Sequence, residues 1–150
     1  MKILLPVDGT HLSLHEARFA LQLMRNGLQA SLLLVNVQEP ASFYELVTAR
    51  EPELIEGAAL EAGEDLLAST AALLRDAGVA YESVVAQGDP AQAILDLIGE
   101  HHCDMVVMGT RALGPIRRML EGGSTSDRLV RNSPVPVLLV TPPLDADAPQ

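Results

Sequence analysis

A single α/β domain built on an open, doubly wound parallel sheet is the fold that this 150-residue sequence predicts. Three observations lead there. Five short apolar runs recur along the chain, bounded by Gly, Pro, Asp or Asn. Segments with helical apolar spacing separate them, so strands and helices alternate. Most of the runs are continuously apolar, which suits strands covered on both faces. Right-handed crossovers then give a five-stranded, Rossmann-like sheet with helices on either side.

The elements follow in order. Residues 2–7, "KILLPV", form a buried strand ended by Asp8 and Gly9. A helix starts near Thr10 as N-cap, with Leu14, Ala17, Leu21 and Met24 at helical spacing, and stops at Asn26 and Gly27. Residues 30–37, "ASLLLVNV", are the second strand, and 38–51 a loop holding Phe43 and Tyr44. A long helix runs from Pro52, suited to a first turn, to Asp76. Its apolar positions include Leu60, Leu67, Ala71 and Leu74; Gly57 and Gly63 are expected to weaken it, and Gly78 ends it. Residues 79–86 make a partly alternating strand. The next helix has Asp89 as N-cap and Pro90 at its first position. Residues 104–109 are the fourth strand, about 124–131 a short helix, and 135–141 the last strand. The tail, 142–150, is expected to be disordered. There is no internal repeat and no linker, so residues 1–141 read as one domain.

Charge and cysteine content narrow the function. The net charge is −10, so phosphate backbones and anionic membranes are poor partners, whereas a small nucleotide can still be held where positive charge is gathered locally. Arg111, Arg117 and Arg118 gather it within one loop. No apolar run approaches the roughly 20 residues of a membrane span. The start, "MKILLPVDG", lacks the pattern of a leader, and the cytoplasm is the expected location. Cys103 is the one cysteine, in "EHHCD". Adjacent helical residues point apart and cannot easily share a metal ion, so this reads as a helix end with a buried thiol. His11 and His15 are four apart but lack further ligands, and Glu16 does not complete a metalloprotease pattern. A solvated helix face is the expectation.

In doubly wound sheets ligands sit beyond the carboxyl ends of the strands, near the switch point. Asp8, Val37, Gly88 and Gly109 fall at those ends. After Gly109 comes "TRALGPIRRMLEGGSTSD", residues 110–127. Glycines let backbone amides approach an anion, and Ser124, Thr125 and Ser126 open a helix whose N-terminus favours negative charge. No lysine precedes the hydroxyls, so this is not a Walker loop. Two readings stand: a phosphate cradle, or a loop in which Ser124 or Thr125 serves only as N-cap. Asp8 likewise reads either as a turn residue or as an acceptor for an adenine amino group or a ribose hydroxyl.

With "PVDGT", "QGDPAQAI" and "MGTRALGPIRRML…GGSTSDRLVRNSPVPVLLV" in this order, the chain resembles the universal stress protein family over about residues 1–141. The resemblance implies a five-stranded sheet of adenine-nucleotide-binding type and a homodimer joined through the last strand, near Val137 to Val140. One branch of that family binds ATP through G-x-x-G, nine residues, then G-[S/T]. Gly109 matches the first glycine, Ala112 stands at the second, and Gly123-Ser124 matches the final pair with one extra loop residue. Carried over, Asp8 would meet adenine or ribose, and the Val37 backbone would meet adenine. Gly109, Gly123, Ser124, Thr125 and Ser126 would hold the phosphates. Arg111 enters for its charge alone.

The expectation is a stress-response regulatory module that binds ATP, with or without magnesium. Any hydrolysis would be slow, because no general base is evident beside a γ-phosphate. The alternative is a family member without nucleotide, acting as a dimeric protein-interaction module.

Overall fold

A computed structural model describes residues 1–38, 52–110 and 125–141. The loop with Phe43 and Tyr44, the Gly-rich segment and the tail lie outside the described residues. The elements are β1 (Lys2–Pro6), α1 (His11–Arg25), β2 (Ser31–Gln38), α2 (Pro52–Asp76), β3 (Tyr81–Gln87), α3 (Pro90–Glu100), β4 (Met105–Gly109), α4 (Thr125–Asn132) and β5 (Val137–Val140).

All pairings are parallel, and the sheet order is β3-β2-β1-β4-β5. The chain winds outward from β1 to β3, then returns to the other side of β1. The gap between β1 and β4 is therefore the topological switch point. Register is continuous from Lys2 opposite Ser31 to Pro6 opposite Val35. It continues from Leu32 opposite Tyr81 to Gln38 opposite Gln87.

Strand alternation divides the core into two layers. Ile3, Leu5 and Val7 point to the face covered by α1 and α2, where Ala17, Ala20, Leu21, Leu67, Ala71 and Leu74 pack. Leu4, Leu33 and Val35 point to the opposite face, against Ala91, Ile94, Leu97 and Ile98 of α3 and Leu129 of α4. Each Leu, Ile or Val among them stabilises the fold by about 1.5–3 kcal/mol when fully buried.

Two helices differ from their sequence reading. The buried stripe of α1 is Ser13, Glu16, Ala17, Ala20 and Leu21. Leu14 and Met24 are only half-buried. In α2, Leu60 is exposed, and Gly63 is a packing position instead of a weak point. A Cβ on Gly63 would run into the Val85 side chain and lie 3.1 Å from Asn36 Oδ1. The missing side chain is what lets α2 lie close to β2 and β3.

The remaining caps follow local chemistry. Asp89 accepts from Gln92 N at 3.0 Å, with Pro90 at the first helical position, and so caps α3. After α3, His102 takes the left-handed conformation at φ 54, and the Cys103 N–H returns to the Ile98 carbonyl at 3.0 Å. Cys103 is then buried, and burial raises its thiol pKa. It is a core residue with a buried thiol, as the sequence predicted.

Candidate functional site

The carboxyl edge of the sheet is built by the ends of β1, β2 and β4 and the starts of α1, α3 and α4. Asp8 follows β1, where the Val7 N–H still bonds the Val35 carbonyl at 2.7 Å. Asp8 Oδ1 accepts from Thr10 N at 2.9 Å, from Thr10 Oγ1 at 2.6 Å and from Ser13 Oγ at 2.7 Å. Ser13 Oγ in turn accepts the Asp8 N–H at 2.9 Å. Thr10 occupies the N-cap position, but its side chain makes no capping bond. Asp8 organises this helix start, a role served by a short carboxylate in an Asx turn. Gly9 between them has φ 82, and a Cβ there would lie 2.5 Å from Leu66 Cδ2.

Val37 lies two residues past Val35, the last β1 partner along β2. Backbone groups of a parallel strand face its two neighbours in alternation. Val35 faces β1, so Val37 faces the same side beyond the end of β1. Beside it Asn36 is buried, with Nδ2 donating to the Val7 carbonyl at 2.8 Å and Oδ1 accepting from Gln38 Nε2. That pair ties the ends of β1 and β2 together.

Gly109 ends β4 across the switch point. Its N–H donates to Glu16 Oε1 at 2.6 Å. A Cβ on Gly109 would collide with the Leu12 side chain and lie 2.6 Å from Glu16 Oε1. Glycine is needed here so that α1 can approach β4. Glu16 is 5 % exposed, and its Oε2 is buried with no hydrogen-bond partner. Burial pushes the Glu16 carboxyl up to about 8. The Gly109 N–H opposes that rise, and the Asp8 charge adds to it.

The N-terminus of α4 joins the same edge. Thr125 and Ser126 are half-buried at its start, followed by Asp127 in the first turn. Arg128 Nη1 donates to Asp89 Oδ1 at 2.7 Å, linking this turn to the start of α3. That bond holds the Asp89 carboxyl below the usual carboxylate range.

Of the predicted site residues, Asp8, Val37, Gly109, Thr125 and Ser126 lie on this one edge. Arg111, Gly123 and Ser124 lie outside the described residues. Glu16 and Asn36 belong to the edge but were not singled out by sequence. The sequence predicts a solvated face for Glu16, whereas the structure buries it. Among the described residues no group of three or more His, Cys, Asp and Glu could hold a metal ion. Among them, too, no helix is long and apolar enough to cross a membrane.

The family model described as "Universal stress protein family" matches residues 1–141. The chain is similar to Universal stress protein MJ0531 of Methanocaldococcus jannaschii, 29% identical over 95% of this chain and 82% of that protein. It also has the fold of a universal stress protein family protein of Arabidopsis thaliana solved with AMP bound. There the TM-score is 0.68 and the identity 21%, covering 100% of this chain and 97% of that one. A universal stress protein solved in complex with cAMP shares the fold at TM-score 0.67 and 23% identity, over 93% of this chain and 95% of that one.

Proposed function

The chain belongs to the universal stress protein family, and from that premise we propose that it is a regulatory module binding an adenine nucleotide at the carboxyl edge of its sheet. One observation carries the reading. The N-terminus of α4, with Thr125 and Ser126, shares an edge with the outward-facing backbone of Val37 and with Asp8. A helix N-terminus offers unpaired amides and partial positive charge to phosphate. The structural relatives solved with AMP and with cAMP support an adenine ligand.

In this reading the residues would take distinct roles. Val37 would meet adenine through its backbone, and Asp8 would accept from the ribose or the adenine amino group. Gly109, Gly123, Ser124, Thr125 and Ser126 would hold phosphate, with Arg111 supplying charge. ATP is the nucleotide we favour, with magnesium brought by the polyphosphate, since the described residues group no set of metal ligands. Hydrolysis would be slow at most. The protein would work in the cytoplasm, where a lone buried thiol stays reduced.

We also propose a homodimer through β5. Among the described residues it is an edge strand paired only to β4, with Leu139 exposed and Val137 and Leu138 half-buried. Such an edge invites pairing with another strand.

A second reading, a dimeric protein-interaction module without nucleotide, draws on two contacts. The Gly109 N–H is taken by Glu16, and the Asp8 carboxylate is taken by Thr10 and Ser13. Denaturing the purified protein and assaying released small molecules by mass spectrometry separates the two. Stoichiometric adenine nucleotide supports the first reading. An empty protein that shows no calorimetric binding at millimolar ATP with magnesium supports the second.

A further inference from the structure

Glu16 is assigned no role in nucleotide binding by the reading above, yet it holds a backbone amide at the switch point. Its Oε1 occupies the N–H of Gly109, the last residue of β4 at the switch point. The side chain is 5 % exposed, and Oε2 is buried with no partner. The two oxygens are therefore unequal. Oε1 is already an acceptor, so a proton on this group belongs on Oε2, where it makes a donor that lacks an acceptor. With that proton the carboxyl is neutral, and no charge opposes an anion at the Gly109 amide. Without it, a buried negative charge lies at the amide a phosphate would use, and like charges at this distance repel strongly in a poorly solvated site.

We propose that Glu16 couples phosphate capture at the gap between β1 and β4 to the uptake of one proton, accepting the anion when neutral and refusing it when ionised. This rests on the nucleotide reading and adds its regulation. The proton comes from solvent and stays on Oε2. No bond in the ligand changes.

The charged surroundings leave this group as the responsive one. From the turn after β1, the Asp8 carboxylate adds to the burial that disfavours ionisation. On α1 itself His11 and Arg18 are exposed, and His15 Nε2 lies 3.1 Å from the Thr141 carbonyl. The α2 carboxylates Glu61, Glu64 and Asp65 are exposed. The described residues of β4 and β5 carry no titratable side chain. With its pKa near 8, the Glu16 proton is exchanged close to neutral pH.

The test is calorimetry of ATP and of AMP binding from pH 6.5 to 9.5, in buffers of different ionisation enthalpy, on the wild type and on Glu16→Gln. Glutamine keeps the acceptor for Gly109 and cannot ionise. The wild type should lose affinity by about tenfold per pH unit above the transition while taking up one proton per ligand. Glu16→Gln should bind without that loss or uptake. The Gly109 amide resonance of the ligand-free wild type should titrate with a midpoint near 8 and stay flat in Glu16→Gln. Nucleotide binding that is independent of pH, or that falls equally in both proteins, overturns the proposal and leaves the nucleotide reading intact. A Gly109 amide that does not titrate overturns it as well. Absence of binding by both proteins at every pH overturns both.

Discussion

Glu16 and Asp8 show how two carboxyls near one helix start take opposite roles. Glu16 is held neutral by burial, so the folded state binds its proton more tightly than the unfolded chain does. The contribution to stability is complete below the unfolded value of 4.5 and is lost as pH rises toward about 8. Glu16→Gln removes that dependence. It should match the wild type at pH 5 and exceed it by on the order of 4 kcal/mol at pH 9, read from urea midpoints at each pH. Asp8, in contrast, works as a hydrogen-bond acceptor at the start of α1. Asp8→Ala leaves Thr10 N and Ser13 Oγ without their acceptor, and it should cost about 1–2 kcal/mol in the same measurement. Asp8 was legible as a turn residue from "DGT" alone. Glu16 was not, because apolar periodicity cannot flag a charged side chain inside a buried stripe.

At the level of elements, glycines decide how closely helices approach strands. Gly57 and Gly63 lie in the same helix and look equivalent in sequence. A Cβ on Gly57 meets nothing within 4 Å, whereas one on Gly63 runs into Val85. Gly57→Ala should therefore stabilise by up to about 1 kcal/mol through helix propensity. Gly63→Ala should destabilise by about 1–3 kcal/mol, because overpacking outweighs that gain. Thermal midpoints of the two variants should move in opposite directions. Gly109 follows the same logic. Its place in a phosphate motif suggested a ligand contact, and the close approach of Leu12 and Glu16 supplies a structural reason that holds with or without a ligand. The capping of α3 by Asp89 and Pro90 was legible because it is entirely local.

For the whole molecule, β5 is one of the two margins of the sheet, with β3 at the other. The Val106 N–H bonds the Pro136 carbonyl and the Thr110 N–H bonds the Val140 carbonyl, so alternate residues of β5 face β4. Leu139 then turns its backbone outward. Leu139→Pro removes an outward N–H while sparing the pairing with β4, a substitution that edge strands tolerate. If β5 joins two copies, light scattering should give twice the 16.0 kDa chain mass for the wild type and the single-chain mass for Leu139→Pro. An unchanged mass in the variant would place the interface elsewhere.

Sequence alone determined the kinds of element, their order, their bounds to within about two residues and the edge of the sheet where the strands end. Each of these rests on local periodicity, capping and turn chemistry, which neighbouring residues carry among themselves. The tertiary structure decided the order β3-β2-β1-β4-β5, the face of α1 that is buried and the meeting of Glu16 with Gly109, 93 positions apart. Those depend on which surfaces pack through space. A carboxyl there is kept neutral by the burial that packing imposes, and no local pattern in the chain encodes that burial.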